Sequence, residues 1–284
     1  MLTIVLGFAT ALVYGFADFF GAIASKKIAP VIVTCLSGAT GLLFLFALTP
    51  IFGAAANPEA IGWGIWAGVW SAFAMTCLYA SLAIGPISIL SPVGAVVSAI
   101  VPAMVGFAQG DRFSWLGWVA IAFILIAVVL VGFVPGEDVR LPSAKGLLLA
   151  LGAGLGIGAV LICLDAAPQD SGLTPVILLR AVSALLLGVY FIGSLILGRV
   201  KPSHRVSRKF WFALLGAGLL DSSANVFFLM ASRAGSLTVV SVLTALYPLG
   251  TIILASVFLK EKIARVQTVG VLLALAASAL LAIA

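Results

Sequence analysis

Ten long apolar segments, separated by short polar breaks, constrain this sequence more than any other feature. A helix needs about 20 mainly apolar residues to cross a bilayer. Apolar and polar residues do not alternate in these segments as they do in membrane β-barrels, and helices satisfy their own backbone hydrogen bonds in lipid. We therefore predict an all-α integral membrane protein with ten transmembrane helices. The predicted segments are 2–22, 31–54, 61–82, 88–108, 115–134, 146–165, 174–197, 210–232, 236–259 and 268–284.

The composition excludes an ordinary soluble domain. Hydrophobic residues make up 63% of the chain and charged residues only 8%, whereas soluble domains have about 25% charged residues. The net charge of +6 does not require an anionic partner such as nucleic acid, because twelve of the 15 Lys and Arg residues fall in loops on one membrane face. Such a basic face is normally cytoplasmic. Both termini fall on the other face, here called the N-terminal face, and are predicted to lie outside.

A loop rich in proline and charge, residues 135–145, divides the chain into two predicted halves of five helices. Weak similarity relates the halves: Gly7 matches Gly152 at an offset of 145 residues, and Ser91 matches Ser241 at an offset of 150. Because each half has an odd number of helices, the second must enter the membrane with the opposite orientation. Inverted repeats are typical of secondary transporters that work by alternating access. The predicted units are 1–134, the cytoplasmic linker 135–145, and 146–284.

Two stretches at equivalent places in the halves have a recognisable pattern. SVLTALYPLGTIILASVFLKEKI has Pro248 within a predicted helix and Glu261 at its end. In its counterpart, SPVGAVVSAIVPAMVGFAQGDRF, Ser98 stands opposite Pro248 and Asp111 replaces the glutamate. Together with the two five-helix halves, these stretches resemble the EamA-like permeases of the drug/metabolite transporter superfamily.

The resemblance implies a ten-helix secondary transporter in the cytoplasmic membrane of a bacterium. Within the superfamily, the chain is most similar to bacterial exporters of amino acids, including the aromatic-amino-acid type. Carriers of organic phosphates or nucleotide sugars, which belong to the same superfamily, are the alternative. A phosphate substrate would require several basic residues in the cavity.

Seven residues are predicted to bind substrate, and counting along the helices places four of them near the bilayer midplane: Tyr14, Trp70, Asp221 and Tyr247. Asp18 follows Tyr14 by four residues, so the two share a helix face. Asn225 follows Asp221 in the same way. Trp70 lies too far from a helix end for an interfacial belt, and it either lines the cavity or is core or lipid-facing packing. The predicted residues are Tyr14, Asp18, Trp70, Arg180, Asp221, Asn225 and Tyr247.

Charged groups within apolar helices are costly and often functional. Arg180 has two possible partners: Asp165, in a structural pair that joins two helices, or Asp221. Asp221 in turn has three interpretations. It bonds to neighbouring Ser or Asn side chains, binds the ammonium of an amino acid, or takes up a proton in a setting that disfavours its charged form. A zwitterion would place its carboxylate at Arg180 and its ammonium at Asp221 or on an aromatic face.

Proline positions suggest where the helices bend. A proline within a helix removes a backbone hydrogen bond, so Pro92 and Pro248, in equivalent helices of the two halves, are predicted to serve gating. Asp111 and Glu261 are predicted to hold helix ends at opposite membrane faces.

No motif in the sequence indicates catalysis, a metal or a cofactor. HExxH, GxSxG and phosphate-binding loops are absent, and the single histidine, His204, lies in a basic loop. We therefore expect a transporter driven by a gradient rather than an enzyme or an ATPase. A passive structural subunit is disfavoured by the buried polar residues. The oligomeric state, the direction of transport and proton coupling stay open.

Overall fold

The computed structural model describes residues 1–25, 30–84, 87–133, 142–197, 208–260 and 263–283. Within these residues the chain forms α-helices and one short 3-10 turn, and one isolated bridge joins Ala54 to Gly172. The predicted all-α fold is confirmed. The helices are α1 (Leu2–Ser25), α2 (Pro30–Phe52), α3 (Pro58–Ile84), α4 (Ile87–Gln109), α5 (Trp115–Gly132), α6 (Ala144–Ala166), α7 (Thr174–Ile196), α8 (Arg208–Arg233), α9 (Leu237–Thr244), α10 (Pro248–Phe258) and α11 (Arg265–Ile283).

These helices account for all ten predicted segments. Nine stretches of the described chain are long and apolar enough to cross a membrane, and α9 and α10 together form one of them. The last segment, α11, is apolar but shorter, over Arg265–Leu281.

The ninth segment is not the continuous helix that we predicted over 236–259. α9 ends at Thr244, α10 begins at Pro248, and the three residues between them form a turn. Proline has no N–H to give to a preceding turn, and it fits the first position of a helix, where none is needed. The prediction that Pro248 lies within a helix is therefore wrong: the helix stops and starts again.

Helices of the two halves interleave in a repeated pattern. The most extensive helix contacts join α1 to α8 and α3 to α6. In addition, α4 packs on α6, as α9 and α10 pack on α1. Each first-half helix has a counterpart five segments later in the chain. If every helix is replaced by its counterpart, the α1–α8 contact becomes the α6–α3 contact, and the α4–α6 contact becomes the contact of α9 and α10 with α1. The contacts between the halves therefore follow a two-fold pseudo-symmetry.

The second half is inverted relative to the first. α2 packs on its own counterpart, α7, with Cys35 beside Gly188 and Gly38 beside Ala184. Residue numbers thus rise along α2 as they fall along α7, so the two helices are antiparallel. This confirms the predicted inverted repeat. The domain boundaries stay a prediction, and linker residues 134–141 lie outside the described residues.

Loops of the two halves bond to each other on the N-terminal face. The Asp111 carboxylate, after α4, accepts hydrogen bonds from Ser236 Oγ at 2.6 Å and from the Thr238 backbone N–H, with an N···O distance of 3.2 Å. These donors belong to the start of α9, whose free N–H groups favour an anion. The predicted role of Asp111 at a helix end is confirmed, although the helix is α9 of the other half. Glu261 lies outside the described residues.

α1 and α10 approach each other backbone to backbone beside the break in the ninth segment. A Cβ atom on Gly15 would lie 2.7 Å from the Gly250 Cα and would also overlap the Tyr247 carbonyl oxygen. The Thr251 hydroxyl donates a 3.0 Å hydrogen bond to the Gly15 carbonyl. Only glycine permits this contact, which fixes the turn between α9 and α10 against α1.

We expect Gly15→Ala to lower the thermal unfolding temperature in detergent. The added methyl group must push α10 away from α1, and overpacking of this kind costs about 1–3 kcal/mol. Gly21→Ala, on the same helix, is the matched control, since no atom lies within 4 Å of a Cβ there. Equal unfolding temperatures for the two variants would contradict the close approach.

Candidate substrate site

A cavity lies between the two halves. Its walls come from α1, α3 and α4 of the first half, and from α6, α7, α8 and the end of α9 with the following turn in the second. The empty space between the wall side chains, including the open solvent at its mouth, is about 780 Å³. This is where inverted-repeat transporters hold their substrates.

The cavity has one polar wall and one apolar wall. The polar wall, from α1, α7, α8 and the turn before α10, contains six of the seven predicted residues: Tyr14, Asp18, Arg180, Asp221, Asn225 and Tyr247. The apolar wall comes from α3 and α6 and includes Met75, Leu78, Ile157, Val160 and Leu161. A ligand that fits both walls has a charged or polar part and an apolar part.

Arg180 and Asp221 form an ion pair within the cavity wall. Arg180 Nη2 contacts Asp221 Oδ2, and the Arg180 side chain is only 10% exposed, compared with 31% for Asp221. Of the two predicted partners of Arg180, the structure therefore shows Asp221. Asp165 instead lies within electrostatic reach of Ser232, close to the C-terminal end of α8. The predicted alternative, a pair between Arg180 and Asp165, is wrong.

Arg180 does not use all of its hydrogen-bond donors in this ion pair. Arg180 Nε is buried and has no hydrogen-bond partner among the described residues. The Asn225 amide donates a 2.8 Å hydrogen bond to the Asp221 backbone carbonyl, one helical turn earlier. Arg180 can therefore still donate a hydrogen bond to a ligand group with lone pairs, such as a carboxylate oxygen.

Tyr14 and Asp18 complete the charged side of the cavity. Tyr14 lies within electrostatic reach of Asp18, Arg180 and Asp221, so it stands among the three charged groups. Asp18 is exposed to the cavity and interacts electrostatically with Asp221, a like charge. Its carboxylate has no ion pair within the part of the chain that the structure describes.

The structure does not bring Trp70 to the cavity. Its side chain is 38% exposed and packs edge to face on Phe73, with the ring centroids 5.8 Å apart. The face of α3 that lines the cavity begins one residue later, at Ser71, and continues through Met75 and Leu78. Depth along the helix alone predicted a cavity position, but rotation about the helix axis turns Trp70 away. The predicted cavity role of Trp70 is therefore wrong.

The sequence reasoning missed three polar residues, Ser71, Ser98 and Thr244, and the whole apolar wall. Thr244 is 4% exposed, and its hydroxyl has no hydrogen-bond partner among the described residues. The repeat offset of 150 residues could have found Ser71, because it places Ser71 opposite Asp221. Equivalent faces of counterpart helices line one cavity. No comparable signal marks Thr244, which depends on the break before α10.

The two prolines that are predicted to serve gating lie within α4 and at the start of α10. Pro92 is inside α4 and packs against Gly132 of α5. Pro248 is the first residue of α10, next to Tyr247 of the cavity wall. A gating role for either residue stays a prediction.

Comparison with known proteins agrees with this architecture. Residues 144–283 match the model of the EamA-like transporter family. The second half of the chain therefore contains an EamA-like domain, which belongs to a family of membrane transporters. EamA-like transporters are in general not enzymes.

Other comparisons add only to the fold. One crystal structure, described simply as that of a protein, has a TM-score of 0.76 and 15% sequence identity, and the match covers 98% of this chain and 95% of the other. At that identity the likeness shows the fold alone. A search of curated proteins finds no sequence match.

The ion pair predicts a specific pattern of stabilities. Asp221→Ala leaves the Arg180 guanidinium buried without its counter-charge, and we expect a loss of about 3 kcal/mol of unfolding free energy. Arg180→Met combined with Asp221→Leu removes both charges and should recover most of that loss. Asp170→Ala, at an exposed loop carboxylate, is the control. Denaturant unfolding in detergent measures each value, and additive losses in the double variant would contradict the pair.

Proposed function

We propose that the protein is a secondary transporter that exports amino acids from the cytoplasm by alternating access of its two inverted halves. It would lie in the cytoplasmic membrane of a bacterium, with both termini outside. The single observation that carries the proposal is the ion pair between Arg180 and Asp221 in a cavity walled by both halves. An amino acid carries the same two charges on neighbouring atoms.

A zwitterion can exchange partners with this ion pair. Its carboxylate accepts hydrogen bonds from the Arg180 guanidinium, which offers a planar fork of donors. Its ammonium donates to the Asp221 carboxylate. Every charge keeps a partner as the pair opens, which matters in a site partly removed from water. Substrate binding therefore separates α7 from α8 locally without leaving a charge alone.

The apolar wall supports broad specificity. Met75, Leu78 and Ile157 present flexible or branched carbon surface to the substrate side chain. A hydrophobic pocket distinguishes related apolar groups only weakly, by about 1–3 kcal/mol per methylene. The apolar wall should therefore discriminate only weakly among amino acids whose side chains differ in size.

The balance of charges argues against the organic-phosphate alternative. Phosphate esters carry one or two negative charges and are bound by several Arg or Lys side chains. Among the described residues that line the cavity, Arg180 is the cation, and Asp18 and Asp221 are anions. A phosphate would have to approach two carboxylates with one partly neutralised guanidinium to hold it.

Counterflow of radiolabelled amino acids into proteoliposomes at equal pH tests the proposal. We expect accumulation of amino acids and none of a sugar phosphate, because only the zwitterion matches the pair. Arg180→Ala should abolish counterflow, and Arg180→Lys, which keeps the charge but loses the fork, should weaken it. Arg112→Ala, at an exposed arginine, is the matched control. Counterflow of the sugar phosphate alone would contradict the proposal.

Thr244 offers a second test of the same site. Its unpartnered hydroxyl should bond to the bound substrate, so Thr244→Val is expected to raise KM about tenfold, the effect of one net hydrogen bond of roughly 1.4 kcal/mol. Thr10→Val is the matched control, since the Thr10 hydroxyl is also buried but donates a 2.7 Å bond to the Leu6 carbonyl. An unchanged KM for Thr244→Val would remove this residue from the site.

A further inference from the structure

The charges that line the cavity do not balance. Among the described residues that line it, three are Asp or Arg: Asp18 on α1, Arg180 on α7 and Asp221 on α8. Arg180 and Asp221 neutralise each other in their ion pair. With both carboxylates ionised, one negative charge remains, and it belongs to Asp18.

Among the residues that the structure describes, no neighbouring cation compensates Asp18. α1 packs mainly against α8, α10 and α9. Of these, α8 presents a second carboxylate, Asp221, and the α9–α10 segment presents Thr244 and Tyr247 to the cavity. From its own helix, Tyr14 lies one turn away. An isolated charge at this depth of a membrane is unfavourable unless something of opposite charge accompanies it.

We propose that Asp18 selects substrates of net charge +1, so that the preferred amino acids are basic ones. This inference rests on the proposed function and names its substrate class. The α-carboxylate binds Arg180, the α-ammonium binds Asp221, and the side-chain cation binds Asp18. The carbon chain between the two cationic ends lies along the apolar wall. With such a substrate bound, each charge in the cavity has a partner of opposite sign.

Two further observations point to a ligand in this place. The Thr244 hydroxyl is buried, lines the cavity and has no partner among the described residues. Tyr14 lines the same cavity and lies within electrostatic reach of all three charged groups. Aromatic faces attract cations, which adds to the selection for a positively charged side chain.

The test compares lysine with Nε-acetyllysine, which has the same backbone charges and a neutral side chain. Both compete with labelled lysine for counterflow in proteoliposomes at neutral pH. We expect the parent protein to prefer lysine at least about tenfold, equivalent to about 1.4 kcal/mol. In Asp18→Asn the ratio should fall to near one, and in Asp18→Glu, which keeps the charge, it should stay above one. Asp170→Asn, at an exposed loop residue, is the control and should keep the parent ratio.

Each outcome of the competition assay either supports or overturns the inference about Asp18. Equal competition by the two compounds in the parent protein overturns the inference, whether or not the Asp18 variants fold, and so does an undiminished lysine preference in Asp18→Asn. In both cases the proposed function survives, because amino acids are still exchanged. Exchange of no amino acid by the parent, with the sugar phosphate exchanged instead, would refute the proposed function itself.

Discussion

The ion pair between Arg180 and Asp221 is the interaction on which the rest of the account depends. A guanidinium that is 10% exposed within apolar helices requires a counter-charge. That requirement fixes the faces of α7 and α8 that meet, and it places Asn225 and Tyr14 beside the pair. A polar wall then forms on one side of the cavity. The same requirement makes the pair sensitive to a substrate that brings charges of its own.

Counterpart helices of the two halves take equivalent places around the cavity, but the side chains that they present to it differ in polarity. α1 and α8 provide the polar wall, whereas their counterparts, α6 and α3, provide the apolar one. At an offset of 150 residues, Asp221 and Asn225 correspond to Ser71 and Met75. The inverted repeat thus supplies a symmetric frame with two chemically different walls. We expect a substrate bound between them to take one orientation, with its charges toward the second-half residues and Asp18.

Much of the fold could be predicted, because every spanning segment must be long and apolar enough to cross the same bilayer. Length and apolar composition identified all ten segments, and the odd number of helices per half predicted the inversion. The position of a residue along its helix also follows from counting, which is why Tyr14, Asp221 and Tyr247 were found. The rest depends on packing. Trp70 has the right depth but the wrong rotation, and the break before Pro248 arises where Gly15 and Gly250 bring α1 and α10 together.

Alkylation of a single cysteine at Ser71, in a protein whose three native cysteines are replaced, tests the central claim most directly. Ser71 lines the cavity on the wall opposite the ion pair, so a bound amino acid should shield it from a small thiol reagent. The account predicts that saturating substrate slows alkylation about tenfold or more, and that Arg180→Ala removes the protection. A single cysteine in place of Asp170, in an exposed loop, should be alkylated at the same rate with and without substrate, and with and without Arg180→Ala. Protection that persists in Arg180→Ala, or its absence in the parent protein, would contradict the assignment of this cavity as the site of transport.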